Sequence, residues 1–191
     1  MSKLIRESIE AIVLAVLVLF VIQFSIQNFR VEGSSMKPTL EGGQYVVVNK
    51  LGYFKLDMER LSQLVPFWEA RKKNEIFFFD SPQRGDVVVF HSPIDATRDY
   101  VKRVVGLPGE QVIILQQGVY VDGILLEEPY LEQVDTSRLM GRMKLENEEY
   151  FVMGDNRLGS NDSRDWGAVP IDNIIGRIWC VYWPLSDITC I

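Results

Sequence analysis

The chain has 191 residues, 47% of them hydrophobic and 24% charged, with 20 basic against 26 acidic side chains and a formal net charge of −6. These values exclude a disordered, collagen-like or polytopic membrane chain, and fit one domain of ordinary size with a short appendage. The acidic balance argues against nucleic acid as a partner, since phosphate binding needs clustered Lys and Arg and only Arg71–Lys73 form a basic run. Two cysteines and one histidine exclude a disulfide scaffold and a cysteine-built zinc site.

The first eight residues carry Lys3 and Arg6, and Ile9 to Phe29 then read almost continuously apolar. At about 1.5 Å per helical residue this stretch matches the roughly 30 Å core of a bilayer. No small-x-small pair closes it, so it reads as a retained transmembrane anchor and not as a cleaved leader. Basic residues ahead of the helix place residues 1–8 in the cytoplasm, and residues 30–191 on the far side of the membrane.

Beyond the anchor the hydrophobic period changes from helix to strand. Tyr45–Val48, Asp86–Phe90, Tyr100–Val105, Val112–Leu115, Val119–Val121, Tyr150–Met153 and Gly176–Trp183 are short β-branched or aromatic runs bounded by Gly, Pro, Asp or Asn. Val121-Asp122-Gly123-Ile124 predicts a hairpin, with Asp122-Gly123 in a type I′ turn. With no alternation of strands and helices, the expectation is a mainly antiparallel β domain behind one N-terminal transmembrane helix. Leu61, Leu64, Val65 and Trp68 have helical spacing and lead through Arg71–Lys73 into Phe77–Phe79. That segment reads either as a lipid-facing surface or as a helix packed on the sheet.

Three clusters could carry chemistry. Gly33-Ser34-Ser35-Met36-Lys37-Pro38-Thr39-Leu40, taken alone, is a loop containing a serine. Asp99–Glu110 then places Lys102 inside an apolar strand, where alternation aims Tyr100, Lys102 and Val104 to one face and Val101, Arg103 and Val105 to the other. Burial disfavours the charged amine, and a neutral lysine is a base. The third cluster, Gly154–Gly167, interleaves acids, amides and arginines. It lacks the register of a calcium loop and reads as a loop held by charge-assisted hydrogen bonds. His91 reads as a surface or turn residue. Cys180, in the last strand, reads as a buried free thiol, although an exported domain would permit a bridge to Cys190.

Together, in this order and behind an anchor, the clusters resemble bacterial type I signal peptidases. The shared motifs are Ser-Met-x-Pro-Thr-Leu at Ser35–Leu40, Arg-Gly-Asp-Val-Val at Arg84–Val88, Tyr-x-Lys-Arg with Gly-x-Pro-Gly at Tyr100–Gly109, and Gly-Asp-Asn-Arg-x-x-Ser-x-Asp-Ser-Arg-x-Trp-Gly at Gly154–Gly167. The resemblance implies a membrane-bound serine endopeptidase that uses no metal and no cofactor and cuts signal peptides from exported preproteins after small residues. Its nucleophile would be Ser35 and its general base neutral Lys102, oriented by Ser160. Asp162 and Arg164, with Asp155 and Arg157, would brace the site. The Ser35 amide would serve the oxyanion. Gly33 stands where some members of the family carry a serine donor. By the same resemblance the substrate would add as a strand beside Arg30–Ser35, its small side chains entering pockets lined by Val31, Met36, Leu40, Tyr100 and Val101. The implied partners are signal peptides and the lipid bilayer, at a plasma or a thylakoid membrane. Self-cleaving Ser/Lys repressors share the chemistry, but that reading expects an N-terminal helix-turn-helix and a basic face. A catalytically silent, membrane-tethered β module would instead bind a partner through exposed aromatic residues.

Overall fold

The structure, a computed structural model, describes residues 3–50, 55–56, 76–77, 81–132 and 138–191. Helix α1 (Lys3–Ser25) is long and apolar enough to cross a membrane. Strand β1 (Ile26–Arg30) follows it without a connecting residue and pairs with β2 (Tyr45–Asn49) from Ile26↔Asn49 to Arg30↔Tyr45. Ile26–Phe29, read in the sequence as the end of the anchor, are therefore strand. Their amides and carbonyls find partners in a ladder, which apolarity alone does not reveal.

Two further short strands, β3 (Lys55–Leu56) and β4 (Ile76–Phe77), pair with each other. The helical spacing Leu61–Trp68, the basic run Arg71–Lys73 and Phe78–Phe79 lie outside the described residues. Next come β5 (Val87–His91), β6 (Asp99–Gly106), β7 (Gln111–Leu115), β8 (Gly118–Val121), β9 (Ile124–Leu125), β10 (Met140–Lys144) and β11 (Glu149–Met153). A one-turn helix α2 (Ser163–Trp166), β12 (Val169–Pro170), β13 (Ile174–Trp183) and β14 (Thr189–Cys190) complete the chain. Among the described residues all strand pairs are antiparallel, so the expected mainly antiparallel β class is the observed one.

The main sheet runs β1-β2-β13-β5-β6-β11-β12, with β14 beside β13, and a smaller sheet runs β10-β7-β8-β9. The main sheet is covered on both faces, which explains runs such as Val87–Phe90 that are apolar without interruption. Val87 and Val89 join one core with Val31, Met36, Leu40, Val46 and Ile178. Val88 and Phe90 point the other way into a second core with Val104, Tyr150 and Val152. A third core, under the smaller sheet, takes Val105, Val112, Leu145, Phe151 and Met153. The predicted hairpin joins β8 to β9 through Asp122 at φ 50° and Gly123 at φ 83°, the paired positive values of a type I′ turn.

The free-thiol reading of Cys180 is corrected: Cys180 and Cys190 form a disulfide. A single helical turn at Leu185–Asp187 reverses the chain after β13, so β14 returns with Cys190 directly opposite Cys180. Their Cα atoms are 4.1 Å apart.

Candidate active site

Strand β6 positions the lysine. Its first half pairs only with β5, from His91↔Asp99 to Val87↔Arg103, whereas β11 joins its other edge only from Arg103 onward. Asp99–Lys102 thus keep one strand edge open. Alternation behaves as read from the sequence: Val101 packs with the first core, while Tyr100 and Val104 belong to the second. Lys102 is 2% exposed, and its Nζ is 2.8 Å from Ser35 Oγ and 2.9 Å from the Val101 carbonyl oxygen. Burial lowers its pKa from 10.5 to about 8, against the opposing pull of the Asp162 and Asp155 carboxylates.

The third cluster holds the serine in place. Asn156 donates its amide to the Ser35 carbonyl at 3.0 Å and its side-chain nitrogen to the Ser34 carbonyl at 3.1 Å. Between them the chain passes so closely that a Cβ at Gly154 would overlap the Ser35 carbonyl oxygen and the Ser160 hydroxyl. Glycine is the residue this approach requires. Gly33 has φ 79° and open space where a side chain would begin, so it places no hydroxyl beside Ser35.

The bracing residues pair differently from a simple reading of the loop. Asp162 caps α2 and binds Arg164, Nε to Oδ1 at 2.8 Å and Nη2 to Oδ2 at 2.9 Å. Burial favours the neutral Asp162 carboxyl, but Arg164 and the Gly154 amide outweigh it and hold the group below the usual carboxylate range. Asp155 is bound by Arg103, a residue of β6, through two hydrogen bonds of 2.9 and 2.6 Å. Arg157 binds Glu128 through both guanidinium ends and reaches the Gly154 carbonyl with Nε at 3.1 Å. Glu128 was absent from the sequence reading, and Arg103 was read there for its strand face alone, with no bracing role. Strand alternation does aim Arg103 away from Lys102, but no local spacing links Glu128 to an arginine 29 residues away. Ser160 is buried beside Asp162 without a well-formed hydrogen bond, and the Lys102 amine bonds to Ser35 and Val101 instead.

A groove of about 160 Å³ runs past the pair, walled by Phe29–Glu32 on one side and Asp99–Lys102 on the other, with Ser35 in its lining. Val31, Tyr100 and Val101 line it. Met36 and Leu40 do not: at 1% and 0% exposed they are core residues beneath it, because the turn after Ser35 carries both inward. Arg30 and Glu32 belong to the segment expected beside the substrate, and Phe29 and Asp99 are lining residues that the sequence reading missed. His91 is half exposed and bonds Asp99 at 2.7 Å through Nδ1. Among the described residues no three His, Cys, Asp or Glu side chains converge as they would around a metal ion.

The profile of one family, described as signal peptidase, peptidase S26, matches residues 5–183. The chain belongs to this family. It is thereby a peptidase, and the family's curated members resemble it over most of its length. A signal peptidase I of Bacillus caldolyticus is 36% identical, covering 86% of this chain and 83% of that protein. Signal peptidase IB of Staphylococcus aureus strain COL is 31% identical over 98% of this chain and 94% of that protein. A signal peptidase I of Pseudomonas aeruginosa is 34% identical over 88% and 69% respectively. A crystal structure of a signal peptidase I from Enterococcus faecalis superposes with a TM-score of 0.45 at 32% identity, covering 51% of this chain and 97% of that chain.

Proposed function

We propose that this family member is a membrane-anchored serine endopeptidase that removes signal peptides from exported preproteins, with Ser35 as nucleophile and Lys102 as general base. The observation that carries the proposal is a lysine amine, withdrawn from solvent, 2.8 Å from a serine hydroxyl on the wall of a groove. A serine is a poor nucleophile until a base takes its proton, and a desolvated lysine performs that task in place of histidine.

In this mechanism Ser35 Oγ attacks the scissile carbonyl carbon as its proton passes to Lys102 Nζ. The negative oxygen of the tetrahedral intermediate meets the Ser35 backbone amide. Lys102, now protonated, gives its proton to the departing amine, leaving an acyl ester on Ser35. It then takes a proton from the water that attacks the ester and returns it to Ser35 Oγ as the carboxylic acid leaves. The Asp162–Arg164 and Asp155–Arg103 pairs and the Arg157–Glu128 pair hold the loop that fixes Ser35, so the geometry is set before substrate arrives.

The substrate adds as an extended strand between Phe29–Glu32 and the open edge of β6. In this reading Val31, Tyr100 and Val101, which line the groove, receive small side chains of the substrate, so cutting follows Ala-x-Ala. Helix α1 anchors the chain with its N-terminus in the cytoplasm. A disulfide between Cys180 and Cys190 fits a catalytic domain on the oxidising side of the membrane.

Mass spectrometry of a preprotein incubated with the full chain in detergent tests the reading. Cleavage at an Ala-x-Ala site, abolished by Ser35→Ala, is the expected result. Efficient cutting after Leu or Arg, or full activity of Ser35→Ala, overturns it.

A further inference from the structure

Trp166 belongs to none of the charged pairs that hold the serine loop, yet it is firmly mounted. It is the last residue of α2, a single turn closed at its start by the side chains of Asp162 and Asp165, and at its end by Gly167, whose amide donates to the Ser163 carbonyl at 3.0 Å. The Ser163 hydroxyl accepts the Val152 amide at 3.0 Å, which ties the turn to β11. From this mount the indole stacks on the Tyr100 ring, with centroids 5.2 Å apart and planes 23° from parallel. Phe90, directly opposite Tyr100 in the β5–β6 register, meets the same ring at 6.3 Å. The Trp166 Nε1 is buried and makes no hydrogen bond, so what the indole offers is its surface.

Tyr100 carries this contact to the groove, which it lines. Lys102 Nζ, 2.8 Å from Ser35 Oγ, is 5.5 Å from the centre of the Tyr100 ring. The ring therefore stands beside the side chain that precedes the bond Ser35 attacks. A half-buried ring on a groove wall turns to another rotamer when the space behind it is empty, and Trp166 fills that space.

We infer that Trp166 is a positioning residue for specificity: by backing the Tyr100 ring it sets the largest side chain the groove accepts just before the cut. The inference rests on the peptidase reading of the groove, and it names the residue behind the size limit of that site. Against a fixed wall one extra methylene on the substrate is worth about 10- to 200-fold in kcat/KM. With the indole removed, the Tyr100 ring leans into the vacated space and a branched side chain gains entry.

The test uses the full chain in detergent with two preproteins that differ only in carrying Ala or Val immediately before the cleavage site, and reads the ratio of their kcat/KM values. The unaltered chain should favour Ala about hundredfold, and Trp166→Ala and Trp166→Leu should bring that preference to about tenfold or below. Trp166→Phe, which keeps a ring to stack on Tyr100, should retain the preference of the unaltered chain. Tyr100→Ala should relax it as well, and Trp166→Ala added to Tyr100→Ala should relax it no further, because both act through one ring. Should Trp166→Ala fail to fold, Trp166→Leu, which leaves the smaller void, carries the comparison. Equal losses on the two substrates, with the ratio unmoved, make Trp166 a merely structural residue; they overturn the inference and leave the peptidase reading standing. Relaxation by Trp166→Phe as large as by Trp166→Ala, or an additive double variant, overturns it too. An unaltered chain that cuts both substrates equally, or neither, overturns the reading of the groove itself.

Discussion

Arg103 grips Asp155 with two parallel hydrogen bonds, Nε to Oδ1 at 2.9 Å and Nη2 to Oδ2 at 2.6 Å, one position along β6 from Lys102. The guanidinium also donates to the Gly85 carbonyl at 2.7 Å and lies 4.1 Å from the centre of the Tyr130 ring, so a single side chain joins three chain segments. Asp155→Asn would leave that guanidinium buried with a neutral partner. A loss of about 3–5 kcal/mol in denaturant unfolding is expected. Arg103→Lys should recover little of the activity lost in Arg103→Ala, since an ammonium cannot reproduce the two-pronged contact.

Gly154→Ala should nearly abolish activity, because the added methyl overlaps the Ser35 carbonyl and the Ser160 hydroxyl. Gly159→Ala is the comparison: there the atoms nearest the new Cβ belong to the Asn156 side chain, with Nδ2 at 2.7 Å. It should weaken the Asn156 bond to the serine loop and cost activity several-fold. Initial rates on a preprotein substrate separate the two.

The pH dependence of cleavage should follow Lys102. With its pKa lowered to about 8, the rate should climb about tenfold per pH unit below that value and level off above it. Lys102→Arg should be inactive throughout, as guanidinium does not deprotonate in this range, whereas His91→Ala should keep nearly all activity. Persistence of the same limb in an active Lys102 variant would count against the assignment.

Folding stability should reveal the same group. In the unfolded chain Lys102 holds its proton up to about pH 10.5, and in the folded chain only to about 8. Between these values the unfolded state binds the extra proton, so the contribution of Lys102 to stability rises with pH. At neutral pH Lys102→Met should therefore unfold at higher denaturant concentration than the unaltered protein, by up to about 3 kcal/mol. The difference should shrink toward pH 10.5.

Reduction of Cys180–Cys190, or Cys180→Ser with Cys190→Ser, should release β14 from β13 and cost about 2–3 kcal/mol, the value for a loop of ten residues. Cleavage in detergent should persist, since the groove takes no lining from β14. Thermal melts with and without reductant measure the effect.

Strand periodicity, the turn chemistry of Asp122-Gly123 and the long apolar run were legible without coordinates because each is a local property, set by neighbours in the chain. Ser35 and Lys102 were legible as a pair only through shared motifs, since 67 residues separate them and no spacing rule spans that interval. What tertiary structure alone decided are contacts made by register and chain crossing. Examples are Arg103 turned to Asp155, Glu128 brought to Arg157, Met36 and Leu40 drawn into the core under the groove, and Cys190 returned opposite Cys180. The end of the helix belongs with these. Ile26–Phe29 are strand because β2 lies alongside and pairs with them, and a partner strand is a fact of the fold, not of the four residues themselves.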